Sequence, residues 1–182
     1  MKITYRPEID GLRAIAVISV VIYHAQINYV GYSIFPGGYL GVDIFFVISG
    51  YLITSIIFKE IKITKKFSFK NFYERRIRRI IPGLIVVIIT TIPFAWIFLL
   101  PNDLVEFAWS IISTLTFVSN LFFYFNQEYG AVDGLYKPLL HTWSLGVEEQ
   151  FYILFPFLFY FLFKLSKKII LITLASSFLI SI

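Results

Sequence analysis

Arg13 and His24 stand eleven residues apart and are the first pair in this sequence suited to work together chemically. On an α-helix eleven residues make close to three full turns. The two side chains therefore share one face, about 16 Å apart along the axis. Neutral imidazole is the side chain best suited to take a proton near physiological pH. A guanidinium matches phosphate oxygens. Asp10 lies near the same stripe. His24 fits a second reading equally, hydrogen bonding at a membrane interface beside Gln26 and Asn28.

Three later stretches add to this pair. Asp43, Gly50 and Thr54 fall along one helical face. An acid in an apolar helix needs a polar partner, for which His24 and Arg13 are the candidates. Arg75, Arg76, Arg78 and Arg79 stand directly before an uncharged run. Arg76 with Arg79, and Arg75 with Arg78, are neighbours three residues apart. They suit either the topology of a membrane protein and its anionic lipids or an anionic cofactor at the cytoplasmic mouth. Glu148 and Glu149 open a further apolar segment, after His141, Thr142, Trp143 and Ser144. Thr142 or Ser144 can cap that helix, and acids in its first turns suit the helix dipole. The two glutamates point to different faces, so one can turn into a polar cavity and orient a catalytic group or a substrate hydroxyl. His141 reads as interfacial. No metal-ligand set is visible, and cysteine is absent.

The elements that must hold these residues are membrane helices. Of the 182 residues, 58% are hydrophobic and 20% aromatic, too much apolar surface for a water-soluble domain of this length. The expected fold is all-α, a polytopic transmembrane bundle. Apolar runs predict spans over residues 10–30, 38–58, 80–100, 107–125 and 143–163, with a truncated sixth over 169–182. The first is expected to be retained rather than cleaved, and the chain to stop inside a helix. The net charge is +5, and nine of the sixteen Lys and Arg residues lie between Lys59 and Arg79. That stretch is expected to be a cytoplasmic loop, which puts the N-terminus inside and Asn102, Asp103 and Glu106 outside. Lys164, Lys167 and Lys168 then fall outside if all five segments cross, against the same rule, unless the fourth or fifth is re-entrant. The charge does not read as a nucleic-acid surface.

Four motifs in order resemble acyltransferase family 3. They are Tyr5 to Ala14 followed by His24; Gly41-Val42-Asp43-Ile44-Phe45-Phe46-Val47-Ile48-Ser49-Gly50-Tyr51-Leu52; Phe72 to Pro82; and Trp143-Ser144-Leu145 with Glu148, Gln150 and Tyr152. The resemblance implies an integral membrane enzyme of roughly ten spans, of which residues 1–182 form the N-terminal part. It implies an acyl-CoA donor, usually acetyl-CoA, reached from the cytoplasm through the inner membrane. The implied acceptor is a hydroxyl of a surface or lipid-linked glycan, such as lipopolysaccharide O-antigen, exopolysaccharide or peptidoglycan. Arg13 and His24 match the family's Arg/His pair. Arg76 and Arg79 match its arginine pair, with Arg75 and Arg78 as another register. His24, Glu148 and Asp43 are the expected catalytic set. Two other readings stay open: a transporter or lipid-handling protein without chemistry, and an inactive truncated fragment.

Overall fold

The computed structural model of the chain describes residues 6–29, 32–33, 35–126 and 136–162. They are mostly helical, as the sequence predicts, apart from a two-residue antiparallel ladder of Asn28–Tyr29 with Tyr32–Ser33. Two compact units divide the chain, Met1–Phe67 and Ser68–Ile182.

The first unit is a pair of helices. Helix α1, Pro7–His24, begins on a proline, whose missing N–H costs nothing at that position, with Glu8 and Asp10 in its first turn. It ends because Gln26 turns left-handed at φ 48°, and the Gln26 N–H folds back to the Tyr23 carbonyl at 3.2 Å. Helix α2, Leu40–Thr64, ends the same way at Lys65, φ 57°. The helices run antiparallel: Tyr23 meets Tyr39 edge-on, Arg13 covers Phe45, and Arg6 donates to the Tyr51 hydroxyl at 2.8 Å.

Gly38 and Gly41 allow this approach. A Cβ on Gly38 would run into the Ser19 carbonyl oxygen, and one on Gly41 into the Ala16 carbonyl oxygen and, at 2.9 Å, Val20 Cγ2. In lipid, small residues substitute for the hydrophobic drive that pairs helices in water. Gly41→Ala is expected to cost about 1–3 kcal/mol, because backbone on the other side cannot yield. Thermal unfolding of the detergent-solubilised protein would show it. A melting curve like that of the wild type would mean the helices sit further apart.

The second unit contains α3, Phe69–Phe98; α4, Pro101–Leu115; α5, Ser119–Phe125; a 3₁₀ turn, Leu140–Thr142; and α6, Trp143–Leu162. Ser68 caps α3, accepting from the Asn71 N–H at 3.4 Å. Pro82 and Pro93 lie inside α3, and Pro156 inside α6. Leu84, Ile88, Ala95, Phe107 and Leu139 form a buried core where α3, α4 and the turn before α6 meet. At the other end of α3, Phe69 stacks on Phe157 and meets Tyr160 edge-on, while the Tyr73 hydroxyl donates to the Ile153 carbonyl at 2.9 Å. Helices α3 and α6 are therefore antiparallel.

Among the described residues, three helical segments are long and apolar enough to cross a membrane: Leu40–Thr64, Phe69–Phe98 and Leu140–Leu162. Much of their apolar surface is open; Val86, Ile89, Phe94, Trp96 and Ile97 on α3 are each at least 60% exposed. Lipid is the natural cover for such a face.

This departs from the expected five spans in specific ways. Helix α1 is 18 residues long and carries Glu8, Asp10 and Arg13, so it falls short on apolarity. The expected fourth span, 107–125, is two helices, because Phe117 takes a left-handed φ of 58° between α4 and α5. Since α3 and α6 are antiparallel, the stretch joining them starts and finishes at one end of the unit and makes no single crossing. The chain accordingly leaves α6 at the end that carries the arginines. The expected basic loop is also corrected: only residues 65–68 separate α2 from α3, and Arg75 to Arg79 ride on helix. An apolar run marks where a helix meets lipid, whereas its backbone starts at the Ser68 cap. The expected sixth segment, 169–182, and Lys164, Lys167 and Lys168 lie outside the described residues.

Candidate functional site

In the first unit Arg13 and His24 do lie on one uninterrupted helix. Arg13 is half-buried, its guanidinium carbon 5.0 Å from the centre of the Phe45 ring. A guanidinium over a ring face is held without spending its hydrogen-bond donors. His24 is the last residue of α1 and is exposed, edge-on to Tyr23 at 5.3 Å. Its place at a helix end keeps the ring clear of the α1–α2 contact.

Asp43 is exposed in the first turn of α2, where a carboxylate suits the helix dipole. The polar network expected from Asp43 to His24 or Arg13 is not formed: among the described residues no hydrogen bond or ion pair joins them. Two residues on a helix turn through about 200°, so Asp43 faces away from the side on which Gly41 packs against α1.

In the second unit the arginines separate by face. Arg76 is half-buried; its guanidinium lies 4.8 Å from the Tyr152 ring centre on α6 and 5.6 Å from that of Phe72. Arg78 points elsewhere and grips Glu74 with Nε at 3.2 Å and Nη2 at 2.7 Å. Arg75 and Arg79 are exposed. On helical angles Arg79 flanks the stripe that carries Phe72 and Arg76. Arg76 and Arg79 thus lie near one stripe of α3, and Arg78 is turned from it toward Glu74.

Facing Arg76, the Tyr152 hydroxyl donates to Glu148 Oε1, one turn earlier on α6. Glu149 is buried at 7% exposure, and its Oε1 has no hydrogen-bond partner among the described residues. Both glutamates, and Arg79, are within electrostatic reach of Arg76. A buried carboxyl with an open acceptor beside a planar cation is an arrangement able to orient a polar substrate group. Among the described residues no group of three His, Asp or Glu is placed to hold a metal.

Three residues outside the expected catalytic set lie here. Tyr152 had a signal in its i,i+4 spacing from Glu148. Glu149 was one of two acids of which one was expected to turn into a polar cavity, and Gln150 had no signal beyond being polar in an apolar segment. Thr142, expected as a cap, instead donates to the Leu139 carbonyl at 2.7 Å and meets Thr114 Oγ1 at 2.9 Å. The Ser144 hydroxyl turns back to the His141 carbonyl.

The model of an acyltransferase domain matches residues 6–182, and the chain belongs to that family. Among the relatives it resembles is "O-acetyltransferase OatA" of Staphylococcus aureus (strain NCTC 8325 / PS 47), 42% identical over 164 residues, 87% of this chain and 25% of that protein. Another is "Putative O-acetyltransferase SAS0844" of Staphylococcus aureus (strain MSSA476), 40% identical over 167 residues, 92% of this chain and 27% of that protein. The chain spans about a quarter of the length of these curated relatives. No solved structure matches it.

Proposed function

We propose that residues 1–182 serve as the N-terminal part of a membrane-bound O-acyltransferase. It moves an acyl group, in the first instance acetyl, from acyl-CoA to a hydroxyl of a cell-surface or lipid-linked glycan. The observation that carries this reading is Arg13 and His24 on one face of an uninterrupted helix, in a chain of the acyltransferase family. Arg76 and Arg79 are the guanidinium groups we assign to the donor's phosphates, and Arg13 of the first unit is a further candidate for such a contact. The thioester end of the donor meets His24.

Two routes fit. In the first, the imidazole takes the proton of the acceptor hydroxyl as its oxygen attacks the thioester carbonyl, and the CoA thiol leaves. In the second, the imidazole attacks the thioester, CoA leaves, and the acyl-imidazole is then taken by the hydroxyl. Glu148 and Asp43 are the further residues we assign to orienting polar groups of the substrates.

The proposed setting is the cytoplasmic membrane, with the arginines and the N-terminus in the cytoplasm. The antiparallel α3 and α6 support this, because the Leu162 end of α6 then lies on the arginine side.

The test is turnover of acetyl-CoA by the purified full-length protein in lipid, with a deacetylated surface glycan as acceptor. Release of free CoA coupled to glycan acetylation is expected. Transport or lipid movement without thioester cleavage would support the non-catalytic alternative instead.

A further inference from the structure

Between α5 and α6 the structure holds a closed pair of amides. Asn120 Nδ2 donates to Gln150 Oε1 at 3.1 Å, and Gln150 Nε2 donates to Asn120 Oδ1 at 2.9 Å. Gln150 Nε2 also reaches the Phe117 carbonyl at 3.0 Å. That carbonyl is open to it because the backbone turns left-handed at Phe117, between α4 and α5. A reversed Gln150 amide would set Oε1 against two carbonyl oxygens, so the network fixes which atom is which.

Gly146, one turn earlier on α6, permits this approach. A Cβ there would stand 3.0 Å from Asn120 Oδ1 and 3.1 Å from Ser119 Oγ. The Ser119 hydroxyl donates to the Thr142 carbonyl at 2.8 Å. The α5 side of α6 is therefore held by directional polar contacts.

Gln150 lies two residues from Glu148 and two from Tyr152. Each step is about 200°, so the amide pair is on the opposite side of α6 from the pair that meets Arg76. Apolar packing is a poor guide to rotation here. Helix α6 carries Phe151, Phe155, Phe157, Phe159 and Phe161 around its circumference, and lipid gives no hydrophobic preference for one face.

We propose that Asn120 and Gln150 are positioning residues: their amide pair, fastened to the Phe117 carbonyl, sets the rotation of α6 and so keeps Glu148 and Tyr152 against Arg76. The catalytic consequence rests on the acyltransferase reading above; the structural half is tested apart from it.

Residues 1–182 carry no cysteine; with any cysteine elsewhere in the full-length protein replaced by serine, an introduced pair reports alone. Phe69 and Phe157, stacked at 4.6 Å, become the pair F69C/F157C in the full-length protein in membranes, oxidised with copper phenanthroline. Asn120→Leu or Gln150→Met is expected to slow that crosslink. In the protein without the cysteine pair, either change is expected to lower kcat for acyl transfer roughly ten-fold, as for a lost half-buried amide pair, with the donor KM within about two-fold. The exchange N120Q/Q150N keeps two amides across the gap and is expected to restore most of both. Three results would overturn the proposal: single variants that crosslink and turn over like the wild type, a changed crosslink with unchanged kcat, or an exchanged pair no better than the singles. Failure of the wild type to turn over any acyl-CoA would defeat the acyltransferase reading, and the crosslink would still decide whether the amide pair sets the helix.

Discussion

His24→Ala is expected to lower acyl transfer by roughly 10²–10⁴-fold while the protein still inserts and folds. The separation of the two effects follows from the position of the ring. His24 ends α1, is exposed, and has one recorded ring contact, with its neighbour Tyr23. Truncation therefore removes little packing, and the melting temperature should hardly move. Full glycan acylation by this variant would sink the proposed role. The wild type also separates the two routes. If the imidazole carries the acyl group, enzyme and acetyl-CoA mixed without acceptor release CoA in a burst equal to the enzyme present. If it serves only as a base, no burst appears.

Arg76→Ala is expected to weaken donor binding by roughly 10–100-fold, the loss of one or two charge-assisted bonds to phosphate. Arg78→Ala should change it little, because the Arg78 guanidinium already grips Glu74 on another face of α3. The contrast between these variants tests which register binds. Protection of the protein by CoA against proteolysis or labelling is a suitable readout. Arg76 also lies over the Tyr152 ring, and losing that contact costs about 0.5–2 kcal/mol of stability, so melting should be followed in parallel. Arg76→Lys keeps the charge and loses the planar fork; it should recover stability better than donor affinity. Equal losses from Arg76→Ala and Arg78→Ala would remove the distinction drawn from the structure.

The sequence displayed the features that depend on local composition. The all-helical class, the span at α2 and the span at α6 follow from apolar runs of the right length. The shared face of Arg13 and His24 follows from helical periodicity. What was hidden depends on tertiary contact or on a single backbone angle. Nothing in the composition of 107–125 announces a left-handed Phe117, since the stretch has no glycine, proline or charge and non-glycine residues seldom adopt that angle. The start of α3 at Ser68 was obscured because arginines look like loop when only hydropathy is read. The polar partner sought for Asp43 failed because a carboxylate in a first helical turn is already served by the helix itself. The role of Arg76 depended on Tyr152, which is 76 positions away and comes near only once α3 and α6 lie side by side.

Pro82 stands between the arginine-bearing turns of α3 and the part built into the core with Leu139 and Phe107. A proline has no N–H for the carbonyl four residues back, here Arg78, and its ring crowds that carbonyl. The missing bond makes this the point at which α3 bends most cheaply. Strain at the arginine-bearing turns, which pack on α6, is therefore relieved before it reaches the part seated in the core. Packing at one end and anchorage at the other become separable properties of one continuous helix.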